Sequence, residues 1–291
     1  MKEKETKSAA KKKKNEKRES LEKDIRILRQ SLCLLIFSLL LFMPSRAEGK
    51  GRIRAFCMSG GSEFQASAIF MREALMENKS TRYRQKEADF QVYVGDAKTS
   101  IKTMNQRLDR IFGSSRAGDL NIFYFTGHGY SASKTEKSRL SDIKGFVIGR
   151  SGSQAVIYPY RKLAAKLSGY KGKTLAVIDS CFSQAFYLNG VRKLSKAHRQ
   201  KLTLMLSSSW KEASYATVLG RGSYISIFTY YFLDAIGFWN TYDQPDCDND
   251  GDGYASVREI YSTLKVNLGM ARGDMTPCLY LSAGGNIKLF A

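Results

Sequence analysis

The chain has 291 residues, with 47 Lys/Arg against 27 Asp/Glu and a formal net charge of +20. Four prolines and five cysteines are too few for a proline-rich linker architecture or a disulfide framework. The basic residues are spread along the chain with no nucleic-acid motif beside them, so they read as a solvated surface, and no nucleic-acid partner is expected.

Residues 1–47 hold 13 of the basic and 6 of the acidic side chains. The Lys-rich stretch AKKKKNEKRE is of low complexity and predicts a disordered tail. Leu32 to Met43, LCLLIFSLLLFM, is a mostly apolar run followed by PSRAEGKG, with Ser45 and Ala47 at the small positions a signal peptidase needs. The run is short beside the roughly 20 residues of a spanning helix. It therefore reads as a cleaved signal peptide. The rival is an uncleaved anchor through residues 32–43 that keeps the basic tail in the cytoplasm. On either reading residues 48–291 form one exported domain, secreted or periplasmic, or held at the membrane.

Beyond the signal, strand-like and helix-like stretches alternate. RIRAFCMSGG is apolar and ends in glycines, and Phe64, Ala68, Met71 and Leu75 then recur at helical spacing. DFQVYVGD is a short β-rich run, and Ile101, Met104, Leu108 and Ile111 share one helical face that stops at Gly113. LNIFYFTGHG is a third strand. A polar insertion, residues 131–144, leads into a hairpin of GFVIG and QAVIY, and YRKLAAKLSG is a helix. TLAVIDSC and LTLMLSSSW are the next strands, followed by a largely buried helix in YISIFTYYFLDAIGFW. Strands apolar on both faces and separated by helices predict an α/β fold, a mostly parallel sheet flanked by helices on both faces.

In such sheets ligands bind at the carboxyl ends of the strands. His128, one of only two histidines, and Cys181 each stand just beyond such an end. An imidazole can activate a thiol as nucleophile and protonate a leaving amine, and glycines on both sides of His128 let a substrate approach the backbone. Cys57, Cys247 and Cys278 are the other cysteines outside the signal. Cys247 and Cys278 sit in polar contexts where they could pair in an oxidising compartment.

YFTGHG and VIDSCFS, with the histidine 53 residues before the cysteine, resemble the caspase, metacaspase and legumain clan of cysteine peptidases. The likeness runs over nearly all of Arg52 to Ala291, and SSSWKEASYA and MTPCLYLSAGG resemble the substrate-strand and last segments of bacterial caspase-like members. It implies a caspase-like three-layer sandwich. It also implies Cys181 as nucleophile and His128 as general acid/base, with the N–H groups of Gly129 and Cys181 as oxyanion hole and no obvious third triad member. The residue two before the nucleophile lines the S1 pocket of this clan. Here it is Asp179, a carboxylate suited to Arg or Lys at P1, although legumain-type enzymes carry an acid there and prefer Asn. Glu63 is a candidate second acid in that pocket. Ser208, Ser209 and Trp210 are candidates for contact with the substrate backbone. The resemblance also points to self-cleavage in residues 190–201, after Arg192, Lys193, Lys196, Arg199 or Lys201, in a segment that reads as exposed and mobile.

DNDGDGYASVRE, Asp248 to Glu259, fits the calcium loop of an EF-hand. Asp248, Asp250 and Asp252 fall at positions one, three and five, Gly253 at six, the Tyr254 carbonyl at seven, Ser256 at nine and Glu259 at twelve. A frame starting at Asp246 fails because its twelfth residue is Val257. A single loop implies a structural or regulatory Ca2+. The sequence thus describes an exported, calcium-binding cysteine endopeptidase acting on polypeptides. The alternative is a catalytically silent caspase-like interaction module, and retention of both Cys181 and His128 speaks against it.

Overall fold

Apolar residues predominate in the strands that end at the site, and nearly every position is buried. These are β1 (Ile53–Ser59), β3 (Leu120–Thr126), β7 (Lys173–Asp179) and β8 (Leu202–Leu206). Such strands leave no face for water and belong inside a sheet. Together with β2 (Phe90–Val94) and β12 (Cys278–Tyr280) they form a six-stranded sheet in the order β12-β8-β7-β3-β1-β2. Every pairing is parallel except that of the edge strand β12, which runs antiparallel to β8. The computed structural model describes residues 51–77, 83–132, 139–219, 224–239, 247–283 and 285–290, which lie in one compact unit, Lys50–Ala291. The expected tail and signal segment fall outside the described residues.

Side chains alternate across the sheet and build two cores. Ile53, Ala55, Cys57, Ile122, Leu175 and Val177 face helices α1 (Gln65–Met76), α5 (Ile227–Ala235) and α6 (Val257–Ala271). Phe56, Met58, Phe123, Phe125, Ala176 and Ile178 face α2 (Ile101–Phe112) and α3 (Tyr160–Gly169). Both faces are covered, as the apolar strands predicted. The apolar spacing of α2 is borne out, with Met104, Leu108 and Ile111 buried. Ser100 caps this helix in a reciprocal box with Thr103. Among the described residues no helix is long and apolar enough to cross a membrane.

Among the described residues three small sheets decorate the frame. β4 (Gly129–Ser131) pairs with β5 (Ile143–Ser151), which makes the expected hairpin with β6 (Gln154–Pro159). β9 (Ala216–Val218) pairs with β10 (Tyr224–Ser226), and β11 (Ala255–Ser256) with β13 (Lys288–Phe290). At the amino end of the main sheet Arg54, only 2% exposed, meets Asp119 at 2.5 Å. The Asp119 carboxylate also accepts from the Arg52 and Arg116 amides. A buried guanidinium is thereby matched by a fully bonded acid.

Three local expectations change. Cys247 and Cys278 form no disulfide with each other, because Cys247 is packed in the α1/α5/α6 core while Cys278 lies on β12 against the opposite core. Residues 190–201 are exposed at Arg192, Lys193 and Lys196 but not extended, since they form a 3-10 turn (Val191–Lys193) and the short helix α4 (Lys196–Arg199). The Arg199 guanidinium donates to the Arg192 carbonyl at 3.0 Å, which ties the two turns together. Finally, β8 stops at Leu206, and SSSWKEAS that follows is irregular backbone because its polar groups bond to neighbouring loops.

Candidate active site

Strands β3 and β7 are neighbours, with Thr126 opposite Asp179 at their carboxyl ends. The Gly127 amide donates to the Asp179 carbonyl at 3.1 Å, so the chains leave the sheet still joined. His128 and Cys181 each follow two residues beyond that last pair. Gly129 has to be glycine here, because a β-carbon would lie 2.1 Å from the Cys181 carbonyl oxygen. Phe182, next to the cysteine, has φ of 61° and is the only non-glycine with positive φ among the described residues. Strain of this kind in a bulky residue persists where the surroundings force it, and it concentrates at functional sites.

The His128 ring stands half exposed, with Nε2 3.6 Å from a Glu63 carboxylate oxygen and the Phe64 ring edge-on at 5.0 Å. Both neighbours come from the 3-10 turn Ser62–Phe64 that follows β1. Glu63 therefore sits beside the imidazole. Its expected place as a second acid next to Asp179 is not where its carboxylate goes.

The Cys181 thiol is half buried. Its hydrogen bonds run to Ser214, whose amide donates to Sγ at 3.4 Å and whose carbonyl accepts from it at 3.7 Å. No hydrogen bond joins the thiol to His128 among the described residues. Burial pushes the thiol pKa up and the Asp179 charge adds to this, while the Ser214 amide opposes both. Both hydrogen bonds of the half-buried sulfur are held by Ser214.

Asp179 lies behind it, 2% exposed. One carboxylate oxygen accepts from Ser214 Oγ at 2.9 Å and the other from Thr229 Oγ1 at 2.5 Å. Because Thr229 gives its proton to Asp179, Tyr124 donates to Thr229 in turn, at 2.5 Å. Burial raises the Asp179 pKa, and the Ser226, Thr229 and Ser214 hydroxyls only partly offset it. This is an acid surrounded by hydroxyls, with no cation bonded to it among the described residues.

The other candidates sort by burial. Ser208 is fully buried and bonded inside the fold, its hydroxyl donating to the Ser180 carbonyl at 3.0 Å and its amide to Ser183 Oγ at 2.9 Å. It supports the cysteine loop and does not face a substrate. Ser209 and Trp210 are half buried, with their amides on Glu212 Oε2 at 3.0 Å and Gln184 Oε1 at 3.2 Å. Sequence reasoning missed Ser214, Thr229 and Glu212. Thr229 left one trace, a small hydroxyl side chain within the mostly apolar sequence of α5.

Within Asp248–Glu259, residues 248–254 are irregular backbone, Ala255–Ser256 are β11 and Val257–Glu259 open α6. Ligand oxygens of Asp248, Asp250 and Asp252 lie within 4.8 Å of one another. Gly253 has φ of 80°, a turn conformation that side chains resist, and its amide donates to Asp248 at 2.8 Å. Glu259 folds back so that one oxygen accepts from the Asn249 and Asp250 amides and the other from Ser256. These hydrogen bonds overcome burial and lower its pKa. Ser256 serves as the N-cap of α6. The Lys288 ammonium pairs with Asp252 and stands over the Tyr254 ring.

No family model and no curated protein sequence matches the chain. Among solved structures it is similar to a protein from Geobacter sulfurreducens, at 14% identity and TM-score 0.49 over 79% of this chain and 93% of that one. It is also similar to caspase-1 from Spodoptera frugiperda, at 8% identity and TM-score 0.45 over 80% and 87% of the two chains. A third similar structure is drICE, at 12% identity and TM-score 0.43 over 81% and 90%. These likenesses concern chain architecture, and the chemistry has to be argued from the site's own residues.

Proposed function

We propose that the domain is an exported cysteine endopeptidase that cleaves after Arg or Lys. The observation that carries this reading is the placement of Cys181 and His128 two residues beyond the paired ends of adjacent parallel strands, with Asp179 buried behind the thiol. His128 takes the thiol proton, and the sulfur attacks the scissile carbonyl carbon. The developing oxyanion is met by the Gly129 and Cys181 N–H groups. The C–N bond then breaks as His128 returns the proton to the leaving amine, and water hydrolyses the thioester. A P1 guanidinium or ammonium supplies the counter-charge that Asp179 lacks. Export rests on residues 32–47.

We also infer that residues 248–259 hold Ca2+. The three clustered carboxylates, the Gly253 turn, the Tyr254 carbonyl and Glu259 fit a hard, oxygen-seeking dication. Lys288 would have to yield Asp252 to it. The ion supplies cross-linking charge to a loop that feeds α6, and Ser256 acts as a helix cap there in place of a ligand.

The decisive experiment is labelling with peptidyl acyloxymethyl ketones bearing Arg, Asp or Asn at P1. Modification of Cys181 by the Arg reagent above the others is expected, with none in Cys181→Ala and loss of hydrolysis in His128→Ala. Equal labelling by all three reagents would remove the P1 reading, and hydrolysis by either variant would remove the dyad.

A further inference from the structure

One short segment, Glu212–Ser214, touches the nucleophile's loop at every position from 179 to 182 except Ser180. The Glu212 carbonyl accepts from the Phe182 amide at 2.9 Å. The Ser214 amide and carbonyl both engage Cys181 Sγ, and the Ser214 hydroxyl donates to Asp179. Ser214 is thus bonded at once to the thiol and to the acid behind it. The segment is anchored from outside, because the Glu212 carboxylate accepts from the Ser209 amide at 3.0 Å and from the Thr276 amide and hydroxyl at 2.8 and 3.0 Å.

Asp179 is sealed while Ser214 stays in place. Of the hydroxyls on the carboxylate, that of Thr229 is buried and that of Ser214 belongs to a half-buried residue, so the side open to an incoming cation is the one Ser214 holds. The hydroxyl–carboxylate bond helps hold in place the residue whose backbone engages the sulfur, so displacing it loosens both contacts. We propose that Ser214 is a latch that couples entry of a cationic side chain at Asp179 to release of the Cys181 thiol. The inference rests on the peptidase reading above and adds its regulation: the thiol stays covered until a basic group fills the pocket. An O–H···carboxylate bond is charge-assisted and among the stronger hydrogen bonds, so the latch holds at rest and yields to a cation that pairs with the carboxylate more strongly. An exported enzyme with such a latch keeps its sulfur shielded from oxidants and from chance electrophiles between turnovers.

The test is the rate of iodoacetamide alkylation of Cys181 in the full chain, followed by peptide mass spectrometry, which separates it from Cys57, Cys247 and Cys278. Benzamidine is the cationic probe and benzamide its neutral control. In the wild type, saturating benzamidine is expected to speed alkylation about tenfold and benzamide to do nothing, the scale set by one hydrogen bond to a charged group. Asp179→Asn should lose the response. Ser214→Ala should be alkylated fast without any probe and gain nothing from benzamidine. The wild-type comparison stands by itself if that variant fails to fold. Slow alkylation of folded Ser214→Ala, or unchanged or slower alkylation of the wild type with benzamidine, overturns the latch. Arg-peptide hydrolysis read in parallel separates the two ideas. Hydrolysis with no cation response keeps the peptidase and removes the latch, while a cation response with no hydrolysis of any peptide keeps the latch and removes the peptidase.

Discussion

Asp179→Asn should make the protein more stable at neutral pH while disabling it toward basic substrates. The carboxylate is 2% exposed, accepts hydrogen bonds from Ser214 and Thr229, and has no cation bonded to it among the described residues. Burial raises its pKa above the ordinary carboxylate value. An acid with a raised folded-state pKa binds its proton more tightly folded than unfolded, so stability falls as pH climbs from the unfolded pKa through the folded one, and the loss is complete above it. Asparagine keeps the shape and an acceptor oxygen and removes the buried charge. A desolvation penalty partly met by hydroxyl donors leaves a gain of about 1 kcal/mol, which is about 2–4 °C in a domain of this size. Other groups titrate over the same range, among them Asp119 and Glu259 with lowered pKa values, but they cancel when variant and wild type are compared. The difference in melting temperature should be near zero at pH 4 and grow to its plateau near neutrality. Removing the counter-charge of a buried ion pair costs about 3 kcal/mol, on the order of 100-fold in kcat/KM for an Arg substrate. Calorimetry between pH 4 and 8, with Arg-peptide kinetics beside it, measures both. A variant less stable than wild type by a constant margin at every pH would show that the carboxylate is a structural acceptor, and the pocket argument would fail with it.

Glu63→Ala should lower kcat about tenfold with little change in KM, because it frees the imidazole that Glu63 and Phe64 flank, and Glu63→Gln should recover part of the loss. Steady-state kinetics of the two variants decide this, and a rise in KM alone would return Glu63 to substrate binding. Calcium at 100 times its Kd should stabilise the fold by about 2.7 kcal/mol, seen as a higher melting temperature that Glu259→Gln largely removes. A melting curve indifferent to millimolar calcium would exclude the ion. Incubated wild type, and not Cys181→Ala, should be cut after Arg192 or Lys193, with mass spectrometry locating the bond. The cut requires Val191–Lys193 to unwind, so it should be slow, and equal cutting of both proteins would exclude self-processing.

The frame was legible because its signals are local and repeated. Apolar runs such as Leu120–Thr126 and Thr174–Asp179 admit only doubly covered strands, and their ends put His128 and Cys181 on one sheet edge. The clustering of Asp248, Asp250 and Asp252 was legible for the same reason, since their spacing is local. What escaped was fixed by distant partners. Ser214 reaches Asp179 across 35 positions and Thr229 reaches it across 50, and nothing in an irregular stretch or a buried helix marks a hydroxyl for that use. Glu63 was read as a pocket acid because it follows a strand end, but which strand end it serves depends on sheet order, and β1 lies next to β3. The segment 190–201 looked mobile because it lacks apolar periodicity. Short turns need none when backbone and guanidinium groups bond to one another.

The position of Asp179 gives basic-residue selectivity a second consequence. Its charge is among the causes that raise the Cys181 pKa, after burial itself. A cation bound to the carboxylate cancels that contribution at the sulfur, and withdrawal of Ser214 opens the thiol toward His128. An uncharged P1 side chain does neither, even where it fits. On this reading discrimination is exercised on ionisation of the nucleophile as well as on binding, so a neutral substrate should lose kcat in addition to gaining KM. Peptides with Arg and citrulline at P1, nearly equal in shape and differing in charge, separate the two effects. A difference confined to KM would mean that Asp179 only binds, and that the thiol ionises without regard to what fills the pocket.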